Sequence, residues 1–101
     1  MVRDFIYIDD VISVCMGLIH HSEVDAVLNV GSGAGTRIID LVNMIKSLVH
    51  QEFEISHEDS RKDDIVESVL DISKMTEQLD VEPQTSLYDG LSKTLEFHGL
   101  K

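Results

Sequence analysis

The chain has 101 residues, 43% hydrophobic and 27% charged, which describes one small globular domain and excludes a disordered tail or two domains. Eight lysines and arginines against 19 aspartates and glutamates give a net charge of −11, so nucleic acid and anionic membrane are not expected partners. No apolar run approaches the roughly 20 residues of a membrane span and no signal peptide opens the sequence, so a cytoplasmic protein is expected.

"RDFIYI", from Arg3, alternates charged, aromatic and aliphatic residues and predicts a short strand. Asp9 and Asp10 are suited to cap a helix that carries Val11, Val14, Cys15, Leu18 and Ile19 at helical spacing and ends near His21. Cys15 is the single cysteine, so no disulfide framework exists, and its apolar neighbours predict a buried structural thiol. "AVLNV", ending at Val30, is short and β-prone and predicts a strand buried on both faces.

After the glycines, Thr36 is placed to cap a second helix, whose stripe is Ile38, Leu41, Val42, Ile45, Leu48 and Val49. "EFEIS" predicts a strand with Phe53 and Ile55 on one face, "HEDSRKDD" a polar connection, and "VESVLDI" a further extended segment. Asp71 or Ser73 caps a short helix around Lys74 to Leu79, and Pro83 marks a loop. Ser86 with Asp89 resembles a capping box that opens a last helix, with Leu87, Leu91 and Leu95 facing inward. The expected fold is a single α/β unit of about four helices and four short strands.

The glycine turn admits two readings. An apolar segment running into Gly31-Ser32-Gly33-Ala34-Gly35-Thr36 and then a helix imitates a dinucleotide-binding turn, with Glu52 and Glu54 near the position of a ribose-binding acid. The third glycine of that fingerprint should follow two intervening residues, yet Gly35 comes one residue early and Thr36 stands in its place. The other reading is a tight corner that needs positive φ. Of the five histidines, His20, His21, His50, His57 and His98, none forms a zinc-like spacing. Asp59, Asp63 and Asp64 lack a calcium-loop pattern, so no metal site is expected.

"RDFIYIDDV", "LNVGSGAGT", "DISK" and "TSLYDGLSKTLEF" occur in that order along the chain. Together they resemble the C-terminal part of the extended short-chain dehydrogenase/reductases, the NAD-dependent nucleotide-sugar epimerases and dehydratases, in particular UDP-glucose 4-epimerase-like isomerases. The resemblance implies the C-terminal part of a Rossmann-type fold, with residues 1–101 forming the substrate-binding portion and the N-terminal NAD-binding domain absent. It also implies that the glycine turn is an architectural corner and that no cofactor binds to this chain, NAD belonging to the longer parent. The family's catalytic tyrosine is followed four residues later by a lysine; here Tyr7 is followed by Val11, and Tyr88 by Ser92, with Lys93 one step beyond. No catalytic residue is therefore assigned, and the chain alone is expected to be inactive.

By the same resemblance, Arg3 contacts the diphosphate of a nucleotide sugar such as a UDP- or dTDP-sugar. Arg61, three residues before Asp64, completes the clamp, and Asp64 reaches the ribose. The family usually has glycine before that aspartate, whereas this chain has Asp63. The residues alone also allow Arg3 to pair with Asp4 or Asp9 and Arg61 to lie in a solvated turn. Two further expectations are a homodimer through exposed apolar surface and, as the alternative function, a non-enzymatic protein-interaction module with the same fold.

Overall fold

A computed structural model describes residues 1–21, 23–24, 27–58 and 64–101. Strand β1 (Val2–Asp4) leads into helix α1 (Ile8–His20), and β2 (Gly35–Arg37) into α2 (Ile38–Leu48). Strand β3 (Glu67–Ser68) then precedes α3 (Ser73–Leu79) and α4 (Leu87–Phe97). The sheet order is β2-β1-β3, with β1 antiparallel to β2 and parallel to β3. Arg3 at its centre stands opposite Thr36 on one side and Ser68 on the other.

Local chemistry, as expected from sequence, accounts for two of the four helix starts among the described residues. Ser86 caps α4 by accepting the Asp89 amide at 3.1 Å, as its spacing predicts. Asp71 Oδ1 accepts the Ser73 amide at 3.0 Å and its hydroxyl at 2.6 Å, which fixes the first turn of α3. Two expected caps are replaced. Helix α1 starts one residue before Asp9, with Tyr7 as its cap residue and no side-chain capping bond. Thr36 lies in β2, so α2 opens after Arg37, whose guanidinium holds Asp40 at 2.9 and 3.0 Å.

Two expected strands are absent. Residues 27–30 and 52–56 carry no strand pairing, and among the described residues the structure has three strands where four were expected. A strand exists only through a neighbour that takes its amide and carbonyl groups; the 70–74 stretch beside residues 27–30 meets them through the Asn29 side chain, which donates to Asp71 O at 3.3 Å, and not through a backbone ladder. Val27 is 91% exposed.

The core is small. Val14 of α1 meets Met75 and Leu79 of α3, flanked by Val24, Leu28, Val30, Ile72 and Val81. The Cα radius of gyration is 16.1 Å, where a compact chain of this length has about 13 Å. The extents of 49 × 35 × 15 Å describe a slab. With element layers about 10 Å apart, 15 Å leaves no room for a further covering layer. Among the described residues, no helix is long and apolar enough to cross a membrane.

Candidate functional site

Successive side chains of a strand point to opposite faces, so Arg3 and Asp4 of β1 face different surroundings. Asp4 turns toward the glycine corner. Its carboxylate accepts the Ser32 amide at 2.9 Å, the Ser32 hydroxyl, the Gly33 amide at 3.0 Å and the Leu70 amide at 3.3 Å. Burial pushes its pKa up, but the hydrogen bonds from Ser32, Gly33 and Leu70 outweigh that and hold the carboxyl below its ordinary 3.8.

The corner is built for this contact. A Cβ on Gly31 would lie 2.8 Å from Leu70 Cδ1 and 2.9 Å from Asp4 Oδ2, so a side chain there would force Leu70 and Asp4 to shift. Gly33 adopts φ +76°, which side chains rarely take. The amides of Ser32 and Gly33, which would have to receive a dinucleotide pyrophosphate, already serve an internal carboxylate. Gly31 to Thr36 forms a tight corner closed on Asp4.

Arg3 is half-buried, and its guanidinium does not pair with Asp4 or Asp9. Nη1 donates to Val2 O at 2.9 Å, while Nη2 donates to Ile65 O at 2.6 Å and lies 3.8 Å from Met1 Sδ. Its charge is thus solvated by carbonyl groups, with no carboxylate bonded to it among the described residues, in a chain of net charge −11. The bond to Ile65 O brings Arg3 beside the backbone that carries Asp64. Asp64 is exposed and has interactions of its own within the chain. Arg61 lies outside the described residues.

Two aspartates have roles that the sequence reading did not assign, Asp4 of β1 and Asp10 of α1. Asp10 is 6% exposed and accepts the amides of Gln84 and Thr85, each at 3.1 Å, so it fastens the loop before α4 to α1. The signal for Asp4 was available: next to an outward arginine in an alternating strand, an aspartate must face the other way and needs donors there. Asp10 offered no such clue, because its partners lie 74 and 75 residues away.

Among the described residues, neither tyrosine has a lysine ammonium at its phenol oxygen. Lys93 Nζ lies over the face of the Tyr7 ring, 5.6 Å from its centroid, a cation–π contact that leaves the phenol oxygen unengaged by the ammonium. Among the described residues, no three His, Cys, Asp or Glu side chains are grouped to hold a metal ion.

Helix α1 is apolar on two sides. Val14 faces the core, while Ile8, Ile12, Cys15, Met16 and Ile19 fall within one outward arc of roughly 100° at the helical period. Ile8 is 60% and Ile19 69% exposed. Cys15 is exposed as well, which corrects the expectation of a buried thiol. An apolar neighbourhood in sequence buries a helical residue only on the side that something covers.

No family model matches the chain. It is similar to GDP-L-fucose synthase 1 of Arabidopsis thaliana, 29% identical over 95% of this chain and 29% of that protein. It is also similar to UDP-glucose 4-epimerase of Mycolicibacterium smegmatis, 30% identical over 94% of this chain and 30% of the relative. The UDP-glucose 4-epimerase of Thermotoga maritima, solved with UDP-glucose, superposes with a TM-score of 0.87 at 34% identity. The match covers 97% of this chain and 31% of that one. The chain thus spans about three tenths of the length of the curated relatives it matches. By sequence similarity and fold, the relatives and structural neighbours of this chain are NAD-dependent nucleotide-sugar epimerases and dehydratases of the extended short-chain dehydrogenase/reductase family.

Proposed function

We propose that residues 1–101 form the substrate side of an NAD-dependent nucleotide-sugar epimerase or dehydratase, gripping the nucleotide diphosphate through Arg3 beside the Asp64 segment. The carrying observation is the 2.6 Å bond from Arg3 Nη2 to Ile65 O, which sets a half-buried guanidinium, bonded among the described residues to carbonyl groups and a thioether sulfur, against that segment. A planar guanidinium offers paired donors to phosphate oxygens, and an anion supplies the countercharge that carbonyl groups do not. Arg61 is the second arm of the clamp in this reading, and a UDP- or dTDP-sugar the ligand class.

NAD enters with the cofactor-binding part of the parent enzyme, where it accepts and returns hydride. The outward stripe of α1 and the unpaired 27–30 segment are the surfaces on which that part docks, since together they leave an apolar helix face and an open backbone edge. A second copy of the chain competes for the same face and forms a homodimer. Alone, the chain binds without turnover in this reading, since neither Tyr7 nor Tyr88 is followed four residues later by a lysine to serve as its acid/base partner.

Replacing Arg3 by alanine in the parent enzyme tests the assignment. A charge-assisted contact is worth about 1.5–3 kcal/mol, so nucleotide-sugar affinity should fall roughly ten- to a hundred-fold at nearly unchanged thermal stability. Unchanged affinity would sink the assignment, and loss of folding would make Arg3 a structural residue. Turnover of a UDP-sugar by the purified chain with added NAD would refute its dependence on a cofactor-binding part.

A further inference from the structure

We propose that Asp4 is the positioning residue of this site: it sets the register of β3 on β1 and thereby holds the Asp64 segment against Arg3. The inference rests on the reading of Arg3 and Asp64 as the diphosphate site. Strand β3 has only two residues, and its ladder with β1 consists of the pairs Val2–Glu67 and Arg3–Ser68, with one further bond from the Val2 amide to Val66 O at 2.8 Å. So short a ladder specifies register weakly.

Two adjacent side chains of β1 supply what the ladder lacks. Arg3 takes the leading end of the segment at Ile65 O, and Asp4 takes the trailing end at the Leu70 amide. Asp4 is itself anchored, because its oxygens also hold Ser32 and Gly33 of the corner. The missing side chain of Gly31 lets Leu70 and Asp4 close on the same spot, where a Cβ would come within 2.8 and 2.9 Å of them. A slip of one residue would carry Ile65 and Asp64 about 3.3 Å along β1 and turn their side chains to the other face. Arg3 would then face a different backbone, and Ile65 O would leave its guanidinium.

The test is a double-mutant cycle on the chain, with UDP as the probe. Binding is followed by backbone amide NMR shifts up to millimolar ligand, and segment 65–70 by amide hydrogen exchange. Asp4→Asn keeps the shape but presents an amide group to amide donors. It should weaken UDP binding about tenfold and speed exchange at residues 66–70 at least tenfold, while the α1 and α3 amides stay protected. Acting through Arg3, it should cost no further affinity in an Arg3→Gln background. An equal loss in both backgrounds would make Asp4 merely structural and overturn the proposal, as would wild-type exchange at 66–70. If Asp4→Asn unfolds, Ser32→Ala removes one donor to Asp4 and must produce the same pattern in milder form. If wild-type protein shows no UDP shifts, the diphosphate reading falls, and exchange at 66–70 alone decides whether Asp4 sets the register.

Discussion

Asp10 anchors the fold at one point, and removing it should show. Its two oxygens accept the Gln84 and Thr85 amides at 3.1 Å, and the residue is 6% exposed. A hydrogen bond to a charged acceptor contributes about 1.5–3 kcal/mol. Gln84 is exposed and regains water in part when the acceptor goes. The lower end of that range for each bond gives about 3 kcal/mol for Asp10→Ala. In a domain of this size that lowers Tm by roughly 12–24 °C. Asp10→Asn keeps one carbonyl acceptor and should lose about half as much. Thermal unfolding followed by circular dichroism measures both variants. A fall below about 4 °C for Asp10→Ala, equivalent to ~1 kcal/mol, would mean that the 80–86 loop is held elsewhere.

Gly33→Ala should destabilise by about 1–2 kcal/mol, because φ +76° is costly for alanine and its Cβ would meet Ile72 at 3.2 Å. Gly99→Ala, at φ +69° with nothing within 4 Å, should cost less, and equal losses in chemical denaturation would discount the Ile72 contact. The depressed carboxyl of Asp4 gives stability that is fully present above its ordinary 3.8 and is lost as pH falls through the lower folded-state value. Asp4→Asn should therefore flatten the acid limb of a Tm–pH profile below about pH 4, and an unchanged limb would refute the linkage. The exposed stripe of α1 should drive association at tens of micromolar, and Ile12→Glu, at a position 51% exposed, should abolish it without lowering Tm. Sedimentation of the wild-type chain as a monomer would show the stripe is not adhesive to itself.

The elements read correctly from sequence are those whose causes are local. The stripe Leu87, Leu91, Leu95 and the Ser86–Asp89 spacing place α4 with its cap, and the alternation after Arg3 places β1 ahead of α1. Misreadings fall where an element depends on what lies beside it. "AVLNV" has strand composition and no strand to pair with, and Thr36 is drawn from a cap position into β2 by its pairing with Arg3. The site divides in the same way. Arg3 is singled out by resemblance alone, while its bond to Ile65 spans 62 positions and shows only in the fold. Asp4, read only as the neighbour of an arginine, proves to be where strand, corner and segment 65–70 meet.

The middle position of β1 in the sheet bears on the order of folding. Its contacts to the corner close a separation of 28 residues, and those to Ile65 one of 62. Each doubling of a loop adds roughly 0.6 kcal/mol to the entropy of closure. Docking of β2 and the corner onto β1 is thus the less demanding event and should come first, leaving a two-strand nucleus with one side waiting. Strand β3 joins last and, held by the fewest backbone bonds, leaves first when the protein breathes. The backbone that carries Asp64 then joins the sheet last and leaves it first.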